Sequence, residues 1–153
     1  MYPVRPWLYV GKHRDTMNLP HLNANHIGAM LQLEEAVAQP GMHVLYLPIA
    51  DGVPLPVETL RRGVSFLLLE HGLGRNVLIA CAAGISRCVT FAIAALKETE
   101  GIPLLAAYSE IVQKNSRALP HPVLWQSLCS FYHENTPYIE VLRIYNRKRP
   151  AGS

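Results

Sequence analysis

Long apolar runs are missing from this chain. Half of its 153 residues are apolar, yet they come in short stretches, none of the length a membrane span needs. No membrane partner is therefore expected. Met1-Tyr-Pro-Val-Arg5 lacks a basic start followed by an apolar stretch, so no secretory signal is expected either. Cysteine is scarce. Cys81, Cys88 and Cys129 stand at uneven spacing, make no disulfide framework, and point to a reducing, cytoplasmic setting. An excess of one charge is also lacking. A net charge of +3 suits an anionic ligand but is too weak to argue for nucleic acid. Internal repeats and low-complexity segments are absent. What remains is a chain rich enough in apolar residues to exclude disorder. It is long enough to bury one core of its own.

The most informative stretch is Val77-Leu-Ile-Ala-Cys81-Ala-Ala-Gly-Ile-Ser-Arg87-Cys88. Four apolar residues read as a buried strand. A short loop with Gly84 follows, and a helix is expected from about Ile85 to Glu98. Loop N–H groups and the positive end of a helix make a cradle for a dianion. The same field favours a thiolate, so Cys81 is a candidate low-pKa nucleophile. Arg87 can close the cradle with a planar fork that matches two phosphate oxygens. A packing cysteine followed by a solvated arginine is the bland alternative. It explains neither the glycine turn nor a cation in the first turn of a helix, where the dipole disfavours it.

Cys81-Ala-Ala-Gly-Ile-Ser-Arg87 resembles the signature of the cysteine-dependent dual-specificity protein phosphatases. The resemblance runs from Trp7-Leu-Tyr-Val-Gly11 to about Glu134. It implies a protein-tyrosine-phosphatase-like fold and a metal-independent hydrolase of phosphate monoesters, with no cofactor. It also implies a phosphorylated protein as substrate. Two positions differ. Ala80 stands where the family has His, and Cys88 stands where it has Ser or Thr. Both adjoin the nucleophile and tune its thiolate. In the family a hydroxyl after the arginine eases departure of the cysteine sulfur, which gives Cys88 a candidate role as leaving-thiolate support. A small core residue with its sulfur turned away is the alternative at that position.

Aspartate occurs only at Asp15 and Asp51. Asp51 lies in Pro48-Ile-Ala-Asp51-Gly-Val-Pro54-Leu-Pro56, a loop that Gly52 and two prolines keep irregular. It follows an expected strand Val44–Leu47. In a parallel sheet it would open on the same edge as Cys81. Dephosphorylation needs an acid for the leaving oxygen. The family keeps that acid on a loop at about this distance before the nucleophile, so Asp51 is the candidate. Glu58 is the fallback, already on the following helix. A turn aspartate capping its own backbone is the bland reading.

Elsewhere, strands are expected at Trp7–Val10 and His26–Leu31, with at best a short helix over Glu34–Ala38. Apolar residues at helical spacing predict a helix from Val57 to about Gly72 and another from Leu104 to Val112. Lys12-His-Arg14, Arg61 and Arg62 read as solvated. A helix from about Val123 to Glu134 would put Cys129 and His133 on one face, but two ligands without partners make a poor metal site, so no metal is expected. Pro120 and Leu128 keep part of the family pattern, whereas His121 and Ser127 replace its usual Asn and Gln; that region is expected near the pocket. Thr136-Pro137 reads as N-cap and first helical position. Beyond it Tyr138, Val141, Leu142 and Tyr145 form an apolar stripe with a basic end at Arg143, Arg147, Lys148 and Arg149.

The expected architecture is α/β: one domain with a central, mainly parallel sheet of four or five strands flanked by helices. Residues 1–134 make the catalytic part, and 135–153 a helix and basic tail packed on it. The site is Cys81, Arg87 and Asp51, with Ala82, Ala83, Gly84, Ile85, Ser86 and Arg87 binding phosphate. A monomer is preferred over a dimer. A phosphate-binding module with little turnover, taking phosphorylated partners, is the alternative function.

Overall fold

The structure is a computed structural model that describes residues 1–148. Five strands form one sheet in the order β1-β2-β5-β3-β4. They span Tyr2–Arg5 (β1), Leu8–Lys12 (β2), Ile27–Gln32 (β3), His43–Tyr46 (β4) and Asn76–Cys81 (β5). β2, β5, β3 and β4 run parallel; β1 alone is antiparallel, at the edge beside β2. Sequence reading passed over β1. Pro3 lies inside it, and a proline is tolerated only where no neighbour needs its missing donor. Pro6 and Trp7 then form the turn into β2. Trp7 is therefore no strand residue; its ring stacks on His71 at 3.9 Å between centroids.

Period-two alternation sorts each strand between two cores. Leu8, Val10, Ala29, Leu31, Val77 and Ile79 face the larger core. Met30, Leu78 and Ala80 face a smaller one, closed by Leu22 on the short helix α1, Leu19–Ala24. The larger core is covered by α2 (Val57–Gly72), α3 (Arg87–Glu100), α4 (Leu104–Lys114), α5 (Pro122–Tyr132) and α6 (Tyr138–Lys148). Every residue of α3 from Cys88 to Leu96 is buried. A helix apolar on all sides belongs in the interior, and α3 has the sheet on one side and other helices around it. Gly63 lets α2 approach it closely: a Cβ there would lie 2.3 Å from a Phe91 ring carbon.

Three local expectations change. Glu34–Ala38 forms no helix. The buried Gln32 side chain instead donates to the Val37 carbonyl at 2.8 Å and accepts from the Val37 N–H at 2.7 Å. That pair of bonds shapes an irregular loop. Helix α5 stops at Tyr132 because His133 turns left-handed, φ 54°. Cys129 and His133 thus do not share a helix face, and the Cys129 thiol approaches the Thr136 carbonyl at 3.7 Å. Helix α6 begins at Tyr138, one residue after the expected first helical position Pro137; the Thr136 carbonyl accepts the Trp125 indole N–H at 2.8 Å. α6 packs back on the domain through fully buried Val141. Arg149, the last of the basic residues in the C-terminal segment, lies outside the described residues. Among those described, no helix is long and apolar enough to cross a membrane.

Parallel pairing decides where chemistry can sit. The carboxyl ends of β5, β3 and β4 open on one edge of the sheet. Cys81 ends β5, Glu34 follows β3, and Asp51 follows β4.

Candidate active site

Cys81 closes β5 and is 2% exposed. The chain then turns through Ala82 to Ser86 into α3. Gly84 makes the turn with φ +71°, and an added Cβ would sit 3.2 Å from the backbone of Gly11. Both the left-handed conformation and the close approach to β2 call for glycine. The loop so formed aims the N–H groups of Gly84 and Cys88 at the Cys81 sulfur. These donors stabilise the anion and oppose burial, which disfavours it.

The Cys88 sulfur points inward, 3.0 Å from that of Cys81. Of the two placements open from sequence, the inward one is correct. The two thiols have opposite fates. Cys81 is drawn down to about 6, first by the Cys88 thiol hydrogen bond, then by the Cys88 and Gly84 N–H groups and the Arg87 charge. Cys88 is pushed well up, first by burial and then by the anion it faces. Cys88 therefore remains a thiol and donates to a Cys81 thiolate. Ala80, one residue back, points to the opposite face and packs with Leu22, Met30 and Leu78.

Arg87 starts α3 and lines the cavity that Cys81 faces. Its Nη1 donates to Glu34 at 2.6 Å and to the Ile49 carbonyl at 2.9 Å. Both bonds use one nitrogen, so Nε and Nη2 form the edge that can meet an anion bidentately. Glu34 was missed from sequence, where its stretch read as a weak helix. The signal was Gln32, a polar residue at the end of an apolar strand. Its side chain builds the loop that presents Glu34 to Arg87.

Asp51 lies on the same cavity. Ser86 donates to its carboxylate at 2.8 Å and accepts the His121 N–H at 2.9 Å. One hydroxyl thus ties the Cys81–Arg87 loop, the Asp51 loop and the turn before α5. The His121 ring lies 3.3 Å from where a Gly52 side chain would begin, so it backs the Asp51 loop. Farther along, the Leu55 N–H donates to Ser127 at 3.0 Å. The two residues that replace the family's Asn and Gln both hold this loop. Glu58, the fallback acid, sits on α2 paired with Arg61 at 2.9 Å and does not line the cavity. Arg117, Tyr138 and Tyr145 do line it; Arg117 belongs to the turn before α5 that was expected near the pocket, whereas sequence reading placed neither tyrosine there. Among the described residues no group of three or more His, Cys, Asp or Glu is arranged to hold a metal ion.

The family model for the dual specificity phosphatase catalytic domain matches residues 8–134. Human dual specificity protein phosphatase 5 is 25% identical over 138 residues, 88% of this chain and 36% of its own length. Human dual specificity protein phosphatase 12 is 30% identical over 119 residues, 72% of this chain and 35% of its own. The chain thus spans about a third of the length of these relatives. Among solved structures, the human tyrosine phosphatase-like serine/threonine/tyrosine-interacting protein superposes with a TM-score of 0.80. It does so at 23% identity, over 87% of this chain and 95% of that one; at that identity it supports the fold. A cysteine at a strand end, a glycine-turned loop and an arginine at a helix start lie within the matched residues: the chain belongs to the dual specificity phosphatase catalytic-domain family.

Proposed function

We propose that the chain hydrolyses phosphate monoesters of proteins through a Cys81 thiophosphate. The observation that carries this is the buried Cys81 thiol drawn down to about 6 on one cavity with Arg87 and Asp51. In the first step the thiolate attacks phosphorus in line. The P–S bond forms, the ester P–O bond breaks, and Asp51 gives its proton to the leaving alcohol or phenol. Backbone N–H groups from Ala82 to Arg87 and the Arg87 fork stabilise the charge on the transferring group. In the second step water attacks phosphorus while the Asp51 carboxylate takes its proton. The P–S bond breaks, inorganic phosphate leaves, and the thiolate is restored. The Cys88 thiol donates to the sulfur as it departs. Arg87 and the loop supply the electrostatic stabilisation, so the scheme uses neither metal nor cofactor. All groups come from one chain, which suits a monomer. A reducing, cytoplasmic setting suits a nucleophile that must stay reduced.

A binding module is the second reading. Ala80 and Cys88 depart from the family beside the nucleophile, and the same loop would hold a phosphorylated partner without releasing phosphate. Hydrolysis of an aryl phosphate by wild type and Cys81→Ser separates the two. The phosphatase reading expects turnover in wild type and a loss on the order of 10⁴-fold or more in the variant. Wild type no faster than Cys81→Ser leaves only binding.

A further inference from the structure

Helix α6 lies beyond the residues that the family model matches, yet it supplies part of the cavity wall. Tyr138 and Tyr145 stand seven residues apart, which places them on one helix face. Both line the cavity that holds Cys81, Arg87 and Asp51.

These rings are held in place. Val141, between them on the same helix, is fully buried. The Trp125 indole fixes the segment before α6 through the Thr136 carbonyl. The Tyr138 hydroxyl donates to the Pro120 carbonyl at 2.7 Å. Pro120 adjoins His121, whose N–H reaches Ser86 in the phosphate loop. Helix α6 is thus coupled to the catalytic loop through a single turn. Burial first, and the Asp51 charge second, push the Tyr138 phenol up to about 12, so it is a neutral ring and donor near the candidate acid.

The cavity has a volume of about 550 Å³. That lies within the roughly 300–1,000 Å³ of a small-ligand pocket. A phosphate on a serine methylene leaves most of it unfilled. A phosphate on a phenyl ring carries a flat apolar body into the space between the α6 tyrosines and Ile85 and Leu119, which line the same cavity. Rings in such settings prefer offset or edge-on packing against other rings. Tyrosine also holds its contact surface with only two side-chain torsions to order.

We infer that Tyr138 and Tyr145 of α6 are specificity-determining residues that favour aryl phosphates, phosphotyrosine above phosphoserine. This rests on the reading that the Cys81–Arg87 loop takes a phosphate ester, but it adds a selector outside the matched family region.

The test measures binding, so that it does not depend on turnover. Two synthetic peptides of one sequence, carrying phosphotyrosine or phosphoserine, are titrated by fluorescence anisotropy into the full chain carrying Cys81→Ser. The same titrations are repeated after adding Tyr145→Leu, Tyr145→Phe or Tyr138→Phe. In the Cys81→Ser background the phosphotyrosine peptide should bind more tightly. Tyr145→Leu should weaken it about fivefold and weaken the phosphoserine peptide less, so the ratio falls. Tyr145→Phe keeps the ring and should keep the ratio. Tyr138→Phe keeps its ring but drops the Pro120 bond, and should lower the ratio by about twofold. Equal losses for both peptides, an unchanged ratio in Tyr145→Leu, or binding of neither peptide overturns the inference. A phosphotyrosine preference in a protein that hydrolyses neither peptide would sustain it while removing the phosphatase reading.

Discussion

The phosphate loop and the Asp51 loop meet at Ser86 but are built differently. The loop from Cys81 to Arg87 is held largely by backbone groups, its own and those of neighbouring segments: the Ile85 carbonyl accepts the Leu119 N–H at 3.0 Å. Gly84 backs onto Gly11, and N–H groups of Gly84 and Cys88 point at the sulfur. The Asp51 loop, Pro48 to Pro56, is tied down by side chains from elsewhere: Ser86 on Asp51, Arg87 on the Ile49 carbonyl, Ser127 on the Leu55 N–H. Asp51 itself is exposed, whereas Cys81 is buried. A cradle for charge requires fixed dipoles, and backbone supplies them without reorganisation. A proton donor must reach leaving groups of differing size, and a side-chain-latched loop can shift to do so.

Arg87 belongs to both loops, so its loss should have the largest effect. Arg87→Met removes the fork on phosphate and the bond to Ile49 together. Turnover should drop on the order of 10³-fold or more, and inorganic phosphate should lose affinity, as measured by competition against an aryl phosphate. A variant that keeps phosphate affinity and loses only rate would show that Arg87 serves the Asp51 loop alone.

Asp51→Asn separates the loops. For an alkyl or other poor leaving group the rate should fall about 10²-fold, and the basic limb of the pH–rate profile should flatten. For a leaving group that needs no proton the change should be small. Equal activity of Asp51→Asn on both substrates would move the acid role to another residue.

Position 88 gives the smallest effect and probes the phosphate loop by itself. Cys81 is deprotonated above about pH 6, and its first stabiliser is the Cys88 thiol. The sign follows: activity that needs the thiolate is present above that value and is lost as pH falls through it. Cys88→Ala removes the donor and should move the acid limb upward, read as the pH dependence of iodoacetate alkylation. Cys88→Ser supplies a stronger donor; it should keep the limb low, shrink any burst of product and raise the steady rate by about tenfold or less. An acid limb that stays in place in Cys88→Ala would assign the thiolate to the backbone donors and Arg87.

The same contrast separates what could be read in advance from what could not. The apolar run Val77–Ala80, the glycine in the turn and an arginine at the helix start are neighbours in sequence. Their geometry is local, so strand, loop and helix were legible together with the candidate nucleophile Cys81 and its neighbour Arg87. Helices α2 and α4 followed from apolar spacing; α3, expected over about Ile85 to Glu98, runs Arg87–Glu100 and ends at Gly101, φ 66°. Edge strand β1 was hidden because Pro3 argues against a strand except at an edge, and which strand is an edge is not a local property.

Composition, periodicity and one motif by themselves determined the parallel α/β architecture and placed Cys81 at a strand end and Arg87 at a helix start. Asp51 became the candidate acid through its place after a strand and the spacing that the family resemblance implies; the structure puts it on one cavity with Cys81 and Arg87. Only the tertiary structure decided that the Cys88 sulfur faces Cys81, since a helical side chain one residue past the turn can point to either side until the core fills the other. It alone brought Glu34 to Arg87, across a separation of fifty-three residues. It alone laid Tyr138 and Tyr145 on the cavity. The physical reason is one throughout: hydrogen bonds within a turn are set by nearby backbone, whereas contacts between distant segments exist only once the sheet has set their common edge.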